Sequence, residues 1–340
     1  MIFVTGGTGM LGSNLLALLV ESDEVVALKR VGSNIKLVEN LFSRRFVEPQ
    51  NYLKKIHWVE GDILDSYFLE QNIETDAEVY HCAAFVSFQK KDAKKVREIN
   101  VEGTKNIVNI CLQNKIRKLC YVSSIAALGR VDSESETSEK DYRNSSKGSS
   151  VYSASKYEAE MEVWRGIAEG LNAVIVNPSV ILGAGDWNKG SAEMITTVYN
   201  GLKFFTKGTN GYVDVADVAK AMLVLMKSEI NAERFILSSE NITYYSLFSS
   251  IAKNLGVAEP AYYASPFLSS IAWRLLALIS YITDKEPIIT KETAKSANAF
   301  YKYSSQKMME RTGFKFMPIE ESIKKYCQQF LEDKQSSISK

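Results

Sequence analysis

The chain has 340 residues, 46% of them hydrophobic, with 41 Lys and Arg against 40 Asp and Glu for a formal net charge of +1. That length can bury a sizeable core in one large domain or one and a half, and the interspersed, near-neutral charge argues against a general nucleic-acid binder. Four cysteines (Cys82, Cys111, Cys120, Cys327) show no C-x-x-C spacing, so reduced thiols in a cytoplasmic protein are expected, with neither a metal site nor a disulfide framework.

The chain opens on "MIFVTGG", which goes straight into an apolar strand at 2–5, with no signal peptide expected ahead of it. "FVTGGTGMLGSN" (3–14) then spaces Gly6, Gly9 and Gly12 between that strand and a helix. Glycine there permits a tight turn and close approach of backbone to a pyrophosphate, and the helix N-terminus offers unpaired N–H groups to the anion. Gly7-x-x-x-x-Gly12 also starts a P-loop, but Ser13 and Asn14 follow it where Lys and Ser/Thr are needed, so a triphosphatase loses its main charge contact. Leu11, Leu15, Leu18 and Leu19 recur on one helical face. At the end of a second strand (25–28) stand Lys29 and Arg30, where an NAD site would place an acid for the ribose 2′-hydroxyl. Two cations there favour the 2′-phosphate of NADP over NAD.

Further strand-like runs follow at 56–59, 78–82, 118–123, 173–177 and 234–237, with a helical pattern of Val101, Ile107, Val108 and Cys111 among them. Such alternation predicts right-handed crossovers and a parallel sheet covered on both faces, with ligands at the carboxyl ends of the strands. The fold class is therefore α/β: a doubly wound parallel sheet with a smaller, mostly helical C-terminal lobe. The expected division is 1–178 plus about 212–238 for the dinucleotide-binding domain, and 179–211 plus 239–340 for a substrate-binding lobe. The polar stretch 131–150 reads as a disordered linker or, from its place between a strand and the Tyr152 helix, as an active-site loop. The apolar run 267–283 is interrupted by Ser269, Ser270, Arg274 and Ser280, which makes it a buried or partly buried helix without stable membrane insertion. His57 and His81 are expected as core or edge residues, not ligands.

"VYSASKYEAE" (151–160) puts Tyr152 and Lys156 one helical turn apart, with Cβ atoms roughly 5–6 Å from each other. A free phenol titrates near 10, and moving it to about 7 takes roughly 4 kcal/mol at about 1.4 kcal/mol per unit. One ammonium at ~4 Å in an effective dielectric of ~20 supplies a contribution of that size. "VSSIAALG" (122–129) ends a strand with Ser123 and Ser124, where a hydroxyl can polarise a substrate carbonyl beside the tyrosine.

Taken together and in this order, "TGGTGMLG", "EGDILD", "HCAAF", "INVEGTKNIV", "VSSIAALG", "YSASK", "NPSVILGAGD" and "YVDVADVAKAM" resemble the extended short-chain dehydrogenase/reductase superfamily, also called the NAD(P)-dependent epimerase/dehydratase family. The resemblance covers about residues 1–240 and is strongest to the dihydroflavonol reductase, aldehyde reductase and 3β-hydroxysteroid dehydrogenase-like branch. It implies a Rossmann-type fold in which Ser124, Tyr152 and Lys156 are catalytic, with Asn100 supporting a relay toward Lys156. It further implies that Gly6, Gly9, Met10, Leu11, Gly12, Lys29, Arg30, Asp62, Ile63, Ala83, Ala84, Tyr152, Lys156, Pro178 and Ser179 line the cofactor. Phe85, Ser124, Ile125, Tyr152 and Asn177 are then the substrate side. The implied activity is NADP(H)-dependent reduction of a small-molecule aldehyde or ketone, or its reverse. A sugar-nucleotide epimerase with the same triad is the alternative, and a non-catalytic NADP-binding sensor or scaffold the second. Ile125 and Ala126 stand where a dehydratase of this superfamily carries Asp-Glu, which removes the acid and base of elimination. A homodimer is implied by resemblance alone.

Overall fold

The computed structural model describes residues 1–129, 135–143, 150–268, 274 and 296–338. Seven parallel strands make the central sheet: β1 (Ile2–Thr5), β2 (Val25–Lys29), β3 (Ile56–Glu60), β4 (Glu78–His81), β5 (Lys118–Val122), β6 (Ala173–Pro178) and, after intervening short strands, β10 (Glu233–Leu237). Their order across the sheet is β3-β2-β1-β4-β5-β6-β10, and each neighbouring pair is parallel. All seven strands expected from the sequence are present, displaced by at most one residue at an end.

Both faces of the sheet are apolar because side chains alternate along each strand. Val4, Tyr80, Cys120 and Val174 point to one face, where α1 (Met10–Leu19) packs through Leu15 and Leu16. Phe3, Val79, Leu119 and Ile175 point to the other, which is covered by two helices, Gly103–Gln113 and Val151–Ala168. Covering both faces is what forces near-continuous apolar runs in the central strands.

Beyond β6 the chain adds β7 (Val180–Leu182), β8 (Phe204–Phe205), β9 (Thr209–Asp214), β11 (Glu240–Thr243) and β12 (Tyr262–Tyr263). Strands β11, β9 and β7 form a small mixed sheet, and β12 pairs with β8. Among the described residues the remaining C-terminal region is mostly helical. Helix Ile319–Ile338 is fixed by Ser322 and Tyr326, whose hydroxyls donate to the buried Asp214 carboxylate at 2.7 and 3.3 Å. Among the described residues no helix is long and apolar enough to cross a membrane. Most of the 267–283 run and much of 131–150 lie outside the described residues.

Candidate active site

The strand order reverses between β1 and β4, and this is where an open α/β sheet forms its ligand crevice. At the crevice Gly6 adopts φ 72°, and a Cβ on it would lie 2.7 Å from the Ala83 nitrogen. A Cβ on Gly12 would lie 2.1 Å from the Gly6 carbonyl oxygen. Both glycines are therefore required by space, and Gly6 also by its left-handed backbone. Helix α1 starts at Gly9 with no side-chain cap, so its first N–H groups are left for a ligand. Ser179, fully enclosed after β6, has a hydroxyl without a partner. The tight glycine turn and the open helix start fit a dinucleotide.

Tyr152 and Lys156 lie on the helix Val151–Ala168, whose first turn is capped by Ser150 Oγ accepting from the Ser153 N–H at 3.2 Å. The Ser153 hydroxyl donates to the Ala126 carbonyl at 2.7 Å, and Arg143 donates to both Ser153 Oγ (2.8 Å) and that carbonyl (3.1 Å). These bonds tie the helix start to the turn after β5 and bring Tyr152 to Ser124. The Ser124 hydroxyl is near enough to pull the Tyr152 pKa down. Ser124 Oγ also accepts the Ala126 N–H at 3.1 Å, which fixes its rotamer.

Lys156 is 2% exposed. Its amine donates to Tyr121 Oη at 3.0 Å and to the Val122 carbonyl at 2.7 Å. Burial lowers its pKa to about 8, against the upward pull of the Glu160 carboxylate. Tyr152 departs from the direct depression that the i,i+4 spacing suggests: enclosure raises the phenol above its ordinary value, and the neighbouring Ser124 hydroxyl is what pulls it back. The physical reason is direction, since the lysine head turns toward β5 and its bonds there.

The family model for the NAD dependent epimerase/dehydratase family matches residues 2–237. The chain belongs to that family. A putative dihydroflavonol 4-reductase of Synechocystis sp. is 29% identical over 94% of this chain and 92% of its own length. An anthocyanidin reductase of Arabidopsis thaliana is 25% identical over 70% of this chain and 75% of its own. Among solved structures, that of gox2253 superposes with a TM-score of 0.82 at 26% identity, covering 98% of both chains. Epimerase/dehydratase membership makes this an NAD(P)-dependent enzyme of the extended short-chain dehydrogenase/reductase type.

In this family member the other sequence-predicted residues fall into three groups. Met10 and Leu11 form the first turn of α1 after Gly9, Ala83 packs against Gly6, Pro178 is buried at the end of β6, and Ala84 is exposed. At the β2–β3 edge, Lys29 pairs with Glu60 at 2.6 Å, while Arg30 is exposed. Asp62 caps its own turn by accepting the Leu64 N–H at 3.0 Å, and Ile63 is packed against Gly103. Asn100 is buried and works as a clamp: its side chain accepts the Phe85 N–H at 2.7 Å and donates to the Phe85 carbonyl and to Ser155 Oγ, both at 3.0 Å. Asn177 is fully buried behind the serine, donating to the Ser124 carbonyl at 3.0 Å, and so is a support and not a wall of the open crevice. His81 is a core histidine, and His57 an edge one paired with Glu24.

Two features of the epimerase/dehydratase site escaped the sequence reading. Glu160, in the same helix as Lys156, is 1% exposed and accepts from Ser123 (2.5 Å), Asn177 (2.7 Å), Arg234 (3.1 Å) and Trp164 (3.2 Å). It joins the carboxyl ends of β5 and β6 to the start of β10 under the site. Phe88, 39% exposed, lies edge-on to Tyr152 at 5.4 Å. The signal for Glu160 was its place one turn beyond Lys156 on the same face, and for Phe88 its i+3 spacing from Phe85.

Proposed function

We propose that the protein is an NADP(H)-dependent oxidoreductase that reduces a small-molecule aldehyde or ketone to its alcohol, or runs the reverse reaction. The observation that carries the reading is the placement of Ser124 just after β5, at the carboxyl edge of the sheet, where its hydroxyl acts on the Tyr152 phenol, with Lys156 one helical turn on. The nicotinamide supplies or takes the hydride. Ser124 donates to the carbonyl oxygen and holds it beside the phenol, and Tyr152 gives that oxygen its proton as charge develops there. Lys156 supplies positive charge one turn below and a donor for the cofactor ribose. Gly6, Gly9 and Gly12 with the start of α1 cradle the pyrophosphate. Lys29 and Arg30 support the preference for a 2′-phosphate. Phe88, edge-on to Tyr152, gives that side of the site an apolar wall, which supports an uncharged substrate. A putative dihydroflavonol 4-reductase and a cinnamoyl-CoA reductase of Petunia hybrida among the relatives support reduction.

The test is consumption of NADPH against NADH over a panel of aldehydes and ketones, with Tyr152→Phe as control. NADPH should be consumed faster, and the variant should lose turnover by about two orders of magnitude or more, within the ~10²–10⁴ range of general acid catalysis, while still binding NADPH. Full turnover in Tyr152→Phe would remove the phenol from the mechanism. Binding of the dinucleotide with no net consumption on any carbonyl would overturn the oxidoreductase reading.

A further inference from the structure

The described part of the 131–150 stretch, residues 135–143, is held along its length. The Thr137 N–H donates to the Lys302 carbonyl at 2.8 Å, and the Thr137 carbonyl accepts the Ser304 N–H at 2.9 Å. The Asp141 carboxylate closes a turn by accepting the Ser138 N–H at 2.7 Å and the Ser138 hydroxyl at 3.0 Å. The Asp141 carbonyl accepts the Gly129 N–H at 3.0 Å, and a Cβ on Gly129 would lie 2.7 Å from the Tyr142 carbonyl oxygen. Arg143 then donates to the Ala126 carbonyl and to Ser153 Oγ. Residues 136–143 thus form a strap that ties the turn carrying Ser124 to the helix carrying Tyr152.

One side chain pins the middle of this strap. Arg234 Nε and Nη2 both donate to the Glu139 carbonyl, at 3.1 and 2.7 Å, while its Nη1 donates to Glu160 at 3.1 Å. The Tyr142 ring stacks on the guanidinium, with its centroid 4.6 Å away. The Glu139 carboxylate reaches β10 itself and accepts the Ile236 N–H at 2.8 Å. Because β10 is an edge strand of the seven-stranded sheet, the strap covers an N–H that faces no neighbouring strand. Arg234, Glu139 and Glu160 are all buried. A planar fork of five donors serves a carbonyl and a carboxylate on separate elements at once, whereas a lysine carries the charge on a single nitrogen.

We infer that Arg234 is a positioning residue for Ser124 and Tyr152, acting through the 136–143 strap that its guanidinium pins to β10. The inference rests on the reading of Ser124 and Tyr152 as the groups that hold and protonate the carbonyl oxygen. Two routes lead from Arg234 to the same turn. From beneath, Glu160 accepts from Ser123 and Asn177, and Asn177 donates to the Ser124 carbonyl. From above, the strap reaches Gly129 and Ala126 and continues to Ser153, next to the phenol. Arg234 is where the two routes meet, so the floor and the cover of the site share one anchor.

The test is amide hydrogen exchange in the free protein, which needs no substrate, read beside steady-state kinetics. Arg234→Lys keeps a cation for Glu160 and loses the fork onto the Glu139 carbonyl. Its Gly129, Thr137 and Ile236 amides should speed up by about tenfold or more relative to those of Val4 and Tyr80 in the central strands, the size of one hydrogen bond to a charged group. Its kcat on a carbonyl substrate should fall by about tenfold or more, with NADPH affinity unchanged. A merely structural role would lower the melting temperature, speed all five amides alike and leave the kcat of the folded enzyme in place. The Glu160→Leu/Arg234→Met double variant removes the buried charges together with the fork. Its strap amides should be equally fast, and it carries the exchange test alone should Arg234→Lys not fold. Wild-type exchange along the strap in either folded variant overturns the inference, and so does a fast strap with unaltered kcat. A fast strap in a protein that consumes NADPH on no carbonyl would uphold the pinning and refute the oxidoreductase reading separately.

Discussion

Replacing Lys156 by Met isolates the energetic burden of keeping an ammonium inside the sheet edge. Met has a similar length and an apolar stem, and the residue is 2% exposed. The folded amine titrates at about 8 against an ordinary 10.5. Between those two values the unfolded chain holds more protons than the folded one, so the lysine's contribution makes stability rise with pH across that window. At about 1.4 kcal/mol per pH unit the full difference is roughly 3 kcal/mol. Urea unfolding of wild type and Lys156→Met, each at pH 7 and pH 10.5, reads it directly. The common titrations cancel, and the wild type should gain roughly 3 kcal/mol on the variant between the two conditions. A stability gap that stays constant from pH 7 to 10.5 would show that the amine is not charged in a dry site, and the account of Lys156 would fail.

The ion pair of Glu160 and Arg234 is enclosed, with side chains 1% and 5% exposed. Glu160→Leu strands the guanidinium and should cost about 3–5 kcal/mol, whereas adding Arg234→Met should return most of it; a double variant no more stable than the single one in urea would refute the pairing as the source. Gly12→Ala would set a methyl 2.1 Å from the Gly6 oxygen. It should weaken NADPH binding by more than about tenfold, or about 1.4 kcal/mol, in a fluorescence titration, and unaltered affinity would show that the turn does not hold the dinucleotide.

The central sheet was readable in the sequence because its strands are buried on both faces. A strand such as Ala173–Pro178, enclosed at every position, leaves an apolar run at 173–176 with no exposed face, which no helix of that length would need. The glycine turn was readable for a similar reason, as its spacing reflects excluded volume and not preference. The small strands after β6 were not. Thr209–Asp214, written "TNGYVD", has glycine and asparagine where alternation should appear, and its pairing with Val180–Leu182 and Glu240–Thr243 is set by tertiary contact. Glu160 illustrates the other kind of miss. A carboxylate in a helix with polar neighbours reads as a solvated face unless the face it shares with Lys156 is weighed, and Arg234, arriving from a strand 74 residues away, shows it to be a buried anchor. The orientation of Lys156 was hidden likewise, since spacing along a helix says that two side chains share a face and not which backbone carbonyl will claim the amine.

The last strand of the sheet has a consequence for how the chain is made. Strand β6 ends at Pro178, yet its outer neighbour β10 begins only at Glu233. Until a ribosome has released that later stretch, Val174 and Val176 present an unpaired strand edge of strongly apolar character, the kind that recruits other chains. Arg234, which seals Glu160, comes with the same late strand. A nascent polypeptide halted before residue 233 would thus carry the whole glycine cradle and the tyrosine helix, but an unfinished floor beneath them.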